Sequence, residues 1–284
     1  METTLPVFFS PAMVARAGSF SPSAEKPAAV VASWLARGLP VELHEPVAAT
    51  IDDLALAHDR AHVRAILEGR ADNGFGNRSP EVAGSLPFTT GALLSAARHA
   101  IAARTIACAP CSGFHHAGPR SVEGFCTFNG LMVTALVLLR DGMAKRVGIV
   151  DCDMHLGNGT EAILDRSGAR DRVKHFTAGA RYHHADQAAA FFVELPRVLD
   201  AMADCDVVLY QAGADPHVDD PLGGFLTTEE LRRRDKVVFT TLTGLGVPVA
   251  WDLAGGYRRE KDGSIPKVLE VHENTAREHL RAVR

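Results

Sequence analysis

Short apolar runs that break off into Gly- and Asp-containing sequence recur through the second half of the chain, with helical patterning between them. The clearest are Val147–Val150, Val207–Ala212 and Pro248–Leu253. Unbroken apolar character over so short a length predicts strands buried on both faces, as in a parallel sheet. In such sheets the functional loops lie at the carboxyl ends of the strands. Helices are predicted over 24–36, 91–107, 129–140, 227–243 and 269–283. Asn129 is placed to cap the third, and Thr227/Thr228 followed by Glu229/Glu230 form a capping arrangement for the fourth. Segment 71–87, rich in Gly, Asn, Ser and Pro, reads as a surface loop inside one fold. No internal repeat or low-complexity tract is visible. The pattern predicts an α/β protein, a single domain over 1–284 with a mainly parallel central sheet flanked by helices.

Composition narrows the class. With 46% hydrophobic and 23% charged residues among 284, the chain is not disordered as a whole. No apolar run approaches the ~18 residues of a membrane span. The N-terminal METTLPVFFSPAM has no basic stretch ahead of an apolar core, so no signal peptide is expected. A net charge of −4 gives no electrostatic footprint for nucleic acid. The five cysteines form no closely spaced framework, which points to a reducing cytoplasm. Cys108 and Cys111 have Cys-x-x-Cys spacing but lie in a strand-like run, so buried thiols are expected rather than a redox pair. Of the 30 basic residues 24 are Arg, as in a GC-rich bacterial genome.

The chemistry-bearing residues gather after the apolar runs. Asp151-Cys-Asp153-Met-His155-Leu-Gly-Asn158 follows the first. In an extended segment Asp151, Asp153 and His155 share one face. Two carboxylates and an imidazole converging there need a cation, and the mixed set suits zinc. Gln211-Ala-Gly-Ala-Asp215 follows the second run, and Asp215 would complete a set of two carboxylates and one His with an open position for water. His217, Asp219 and Asp220 read as loop structure. Gly113-Phe-His115-His116 supplies imidazoles suited to proton transfer near neutrality. Gly255-Gly256-Tyr257 follows the third run, with a phenol placed to donate to an oxyanion. His183-His184 reads as surface or site rim.

In this order the clusters resemble the zinc-dependent histone deacetylase family, including bacterial acetylpolyamine amidohydrolases and acetoin-utilisation proteins. The resemblance rests on Gly113–Ala117, Gly124-Phe-Cys-Thr-Phe-Asn129, Asp151–Thr160, Ala212–Gly223, Gly255–Tyr257 and the His58–Val63 stretch. It implies a three-layer arginase/deacetylase-like domain that removes acetyl or other acyl groups from lysine side chains or polyamines. It implies Asp153, His155 and Asp215 as ligands of Zn2+, with Fe2+ an alternative in the cell. It implies His115 paired with Asp151, His116 as proton shuttle oriented by Asn158, and Tyr257 as the carbonyl-polarising phenol. Phe125, with Gly124 and Gly256, would line the acyl-lysine tunnel. A structural K+ or Na+ would sit on backbone carbonyls of the Asp151–His155 loop, with a contribution near Thr177.

Four departures from the family pattern stand out. Leu156 replaces a second His after the ligand. Cys108–Ser112 replaces an Arg-Pro-Pro run, which removes an Arg-lined acetate exit from expectation. The 176–195 segment is short, with Tyr182 the only aromatic near the place of the second tunnel wall, which predicts a more open pocket or one completed by a partner subunit. The N-terminal Ser21-Pro-Ser-Ala-Glu-Lys26-Pro is closest to compact class IV-like bacterial members. Two other readings compete. A ureohydrolase would need Asp at 157 and 217, where the chain has Gly157 and His217. A zinc-binding acyl-lysine reader without turnover would not need His115, His116 and Tyr257.

Overall fold

The computed structural model describes residues 3–284. In chain order the elements are β1 (Leu5–Phe8), α1 (Lys26–Ala36), β2 (Val41–His44), α2 (Ile51–Ala57), α3 (Arg60–Leu67), α4 (Pro80–Ala103), β3 (Ile106–Ala109), α5 (Gly130–Arg140), β4 (Val147–Asp151), α6 (Asn158–Ser167), β5 (Val173–Thr177), α7 (Ala188–Asp200), β6 (Val207–Gly213), α8 (Thr228–Gly244), β7 (Val249–Ala254) and α9 (Pro266–Ala282). The seven strands form one sheet in the order β2-β1-β3-β7-β6-β4-β5, and every pairing is parallel.

Burial on both faces explains the unbroken apolar runs. On β6, Val207 and Leu209 pack into one core while Val208, Tyr210 and Ala212 pack into the other, the two-residue alternation of a strand between two helical layers. Helices α2 to α6 cover the first face, and α1, α7, α8 and α9 the second. The fold is thus the three-layer α/β arrangement with a parallel sheet.

Capping chemistry sets several boundaries. Asn129 accepts from Met132 N at 3.0 Å, and Thr227 and Glu230 form a reciprocal capping box on α8. Two expectations are corrected. The loop predicted over 71–87 gives way to α4 at Pro80. Proline fits the first helical position, where no N–H is needed, and Ser79 caps the turn. The helix predicted over 91–107 ends at Ala103, where Arg104 turns left-handed (φ 50°), and Ile106–Ala109 is a fully buried strand.

Charged groups inside the second core are tied to the sheet. Arg234 of α8 is wholly buried; it donates to Gly213 O at 2.6 Å and Cys152 O at 3.2 Å and pairs with Asp235. It thereby joins the carboxyl ends of β4 and β6. His272 of α9 is buried with no hydrogen-bond partner, and burial, then the Lys26 and Arg234 charges, hold it neutral well below the ordinary histidine range. Only the unfolded chain takes a proton here as pH falls below about 6.5, so His272 costs stability in acid. The expected result is that His272→Leu gains roughly 2 kcal/mol on wild type between pH 8 and pH 5, read from urea midpoints at both pH values. A pH-independent difference would refute a neutral buried His272.

Candidate metal and catalytic site

Four adjacent strands, β3, β7, β6 and β4, deliver the site from their carboxyl ends. The segment after β3 carries His115 and His116, β7 leads to Tyr257, β6 to Asp215, and β4 to Asp153 and His155.

Asp153, His155 and Asp215 are the one group of three or more metal-type residues with converging donor atoms among the described residues, all within 4.8 Å of one another. His155 Nδ1 lies 3.0 Å from Asp153 Oδ1 and 2.9 Å from Asp215 Oδ2. One ring nitrogen has one proton at most, and Asp215 Oδ2 is buried without a hydrogen bond. Burial and the neighbouring Asp153 charge push the Asp215 carboxyl above the ordinary carboxylate range. Lone pairs facing one another in a buried site are the condition a divalent cation relieves, and three protein ligands leave a coordination position open. The residues present therefore fit such an ion.

The route to this convergence differs from expectation. The strand stops at Asp151, so alternation along an extended segment does not align the three residues. Turns made by side chains do: Asp151 Oδ1 accepts from Asp153 N at 3.1 Å, and Asp153 Oδ1 from His155 N at 2.8 Å. Asp151 stays outside the trio and accepts from His115 Nδ1 at 2.7 Å and Gln211 Nε2 at 2.8 Å.

The two tandem histidines sit in opposite electrostatic settings. His115 is buried, which opposes its charge, but the Asp151 and Asp153 carboxylates outweigh burial and raise it to about 9. His116 has a neutral partner: its Nδ1 lies 2.6 Å from Asn158 Oδ1. Burial, and then the His115 charge, lower its pKa. One imidazole is thus held charged beside another held neutral, and their ring centroids are 4.1 Å apart.

Tyr257 is buried, and burial with the Asp153 and Asp215 charges keeps its phenol protonated well above 10. Its backbone N–H donates to Asp220 Oδ2 at 2.7 Å, so Asp220 anchors this turn. Gly255 (φ 49°) packs against Asp215, where a Cβ would stand 2.2 Å from Cγ. No other residue fits that contact in that conformation. Gly256 is buried with Val268 and Ala214 against its side-chain position, so its contact with a ligand would come through backbone. Glu123–Cys126 forms a tight turn, with both central residues, Gly124 (φ 54°) and Phe125 (φ 64°), left-handed. A positive φ is costly for an aromatic residue, and strain of this kind collects at functional sites. The turn lies against the His116 ring: a Cβ on Gly124 would stand 2.4 Å from His116 Cδ2.

Beside these residues opens a cleft of about 430 Å3, lined in part by His116, His155, Asn158, His183 and Leu222. The cleft is open to solvent. Tyr182 does not wall it. Tyr182 is buried against Phe191 and Phe225, and its hydroxyl bonds Glu194, because the core offers the ring more apolar contact than the cleft does. His217 bonds Thr228 at 2.8 Å, and Gly157 has no side chain to offer, so the described residues present no second metal position. Cys108 and Cys111 are free, buried thiols raised by burial.

Three residues near the site escaped the sequence reading. Phe20 is 58% exposed and meets Phe125 edge-to-face with ring centroids 5.1 Å apart and Tyr257 at a tilt with centroids 6.1 Å apart. Lys26 is fully buried beneath the Tyr257 turn, donates to Gly255 O at 2.5 Å, and is lowered by burial to about 8. A lysine at the start of a helix gives no sequence signal of burial. The third, Glu123, contacts Asn158.

Comparison with known proteins gives the family and the fold neighbours of the chain. The histone deacetylase domain pattern matches residues 22–177, more than half of the chain, and the chain belongs to that family. It is 30% identical over 202 residues to histone deacetylase 6 of Caenorhabditis elegans, covering 60% of this chain and 21% of that protein. It is 25% identical over 193 residues to acetylpolyamine amidohydrolase 1 of Pseudomonas aeruginosa, covering 57% of this chain and 54% of that protein. A Picosynechococcus protein is 32% identical over 175 residues, 54% of this chain and 57% of its own length. The chain thus spans about half or less of these relatives. In fold it is similar to the HD domain of HDA15 (TM-score 0.78, 22% identity, 99% of this chain and 90% of that one). It is also similar to the acetylpolyamine aminohydrolase of Burkholderia pseudomallei (TM-score 0.75, 20% identity, 98% and 99%).

Proposed function

We propose that the protein is a metal-dependent amidohydrolase that removes acetyl or other acyl groups from lysine side chains or related amines such as polyamines. The observation that carries this reading is the Asp153–His155–Asp215 trio beside a neutral imidazole at His116 and a protonated phenol at Tyr257. Asp153, His155 and Asp215 would hold Zn2+, or Fe2+ in the cell. Such an ion supplies Lewis acidity, lowering the pKa of water toward ~7 and polarising a carbonyl oxygen.

The chain's own residues handle the protons and the charge. His116 engages Asn158 through Nδ1, so Nε2 is the atom that accepts the proton of the attacking water. Its lowered pKa keeps it unprotonated and ready at neutral pH. Tyr257 donates its O–H to the oxygen that becomes negative, and it enters the reaction protonated. His116 then returns the proton to the leaving nitrogen, while His115, held as imidazolium by Asp151, supplies positive charge alongside. The monovalent ion at the Asp151–His155 loop belongs to the same proposal. Thr177 Oγ1 in that region accepts Gly157 N–H at 3.2 Å. No described helix is long and apolar enough to cross a membrane.

The test is acetate and amine release by the zinc-loaded protein from acetyl-lysine peptides, acetylated polyamines and a longer acyl-lysine. Chelator-sensitive release is expected, with the preferred substrate naming the branch. Stoichiometric zinc without release from any of them would overturn the reading and favour a reader.

A further inference from the structure

We propose that Glu123 is a positioning residue that fixes the side-chain orientation of Asn158, and through it which nitrogen of His116 carries the proton. The inference rests on the reading of His116 as proton acceptor. Asn158 is exposed, so packing does not decide which way its amide faces. The two orientations have opposite consequences. With Oδ1 toward His116, Nδ1 holds the proton and Nε2 is free to accept one. With Nδ2 toward His116, Nδ1 must accept, the proton moves to Nε2, and the ring is blocked as a base on the side that faces the site.

Glu123 breaks this symmetry. Its Oε2 accepts from Asn158 Nδ2 at 3.1 Å, while Asn158 Oδ1 stands 2.6 Å from His116 Nδ1. An ionised carboxylate only accepts, so Nδ2 must face it, and Oδ1 is left for the histidine. The carboxylate is itself held in place. Glu123 is the first residue of the tight turn, with Cys126 N donating to Glu123 O at 2.8 Å and Glu123 N to Cys126 O at 3.2 Å. Two left-handed residues complete that turn, and it packs on the His116 ring. The turn that presents Phe125 therefore also presents Glu123 to Asn158.

The experiment reads the His116 tautomer directly. Imidazole 15N NMR spectra of the metal-free protein at pH 8 are recorded for wild type, Glu123→Gln, Glu123→Ala and Glu123→Lys, with kcat and KM measured on the zinc-loaded proteins. Wild type should show the Nδ1–H form. Glu123→Lys, which offers only donors, should turn the amide over and give the Nε2–H form. Glu123→Ala should give a mixture and about a tenfold fall in kcat with KM unchanged. Glu123→Gln, which can still accept through Oε1, should fall between wild type and Ala. An unchanged tautomer in both Glu123→Ala and Glu123→Lys overturns the proposal, as does a loss confined to KM. Inactivity of the wild type would refute the amidohydrolase reading instead, while the tautomer result would still judge Glu123.

Discussion

Asp153→Ala should bind no stoichiometric zinc and release no acetate, with affinity reduced by more than ~100-fold. Asp153 is one of three protein ligands in the proposed set, and no other described residue converges with them to replace it. The substitution should not unfold the metal-free protein. The one backbone hydrogen bond that the Asp153 side chain accepts, from His155 N, lies in the loop after β4, so its loss should be local. The discriminating measurement is the melting temperature with and without zinc. Wild type should gain ~2.7 kcal/mol when zinc stands at a hundred times its Kd, and the variant should gain nothing. A variant that still holds one zinc per chain would refute the ligand assignment.

Tyr257→Phe should lower kcat by about 10²–10³ and leave zinc binding and KM nearly unchanged. The ring remains to pack against Phe125 and Phe20, so the loss is confined to one hydrogen-bond donor aimed at developing charge. Steady-state kinetics with an acetyl-lysine peptide measures kcat and KM, and metal analysis measures the zinc retained. A protein that only reads acyl-lysine would keep its affinity in this variant and have no turnover to lose.

Much of the candidate site is visible in the linear order of residues, because each cluster is local. His115 and His116 are neighbours, and Asp151, Asp153, His155 and Asn158 lie within eight positions. Three buried parallel strands, β4, β6 and β7, were read from their unbroken apolar runs, whereas the equally buried four-residue β1 and β3 are too short to stand out from their flanks. The edge strands β2 and β5 were not. Val41–His44 is largely exposed and Val173–Thr177 carries Lys and His, so neither has the apolar signature. Segment 80–87 misled because proline and glycine were taken as loop markers, whereas Pro80 occupies the one helical turn that needs no N–H.

What the sequence determined by itself is the class of chemistry: two carboxylates and an imidazole for a cation, paired imidazoles for protons, and a phenol for an oxyanion, each after a buried strand. The tertiary structure decided how these groups are wired. It carried Lys26 across 229 residues to the Gly255 carbonyl, and set Phe20 on Tyr257. It turned Tyr182 into the core and brought Glu123 to Asn158. Residue type limits what a side chain can donate, accept or ligate, and spacing limits only local geometry. Partners distant in the chain are chosen by the order of the strands and by which face of the sheet each helix covers, and those exist only once the chain has packed.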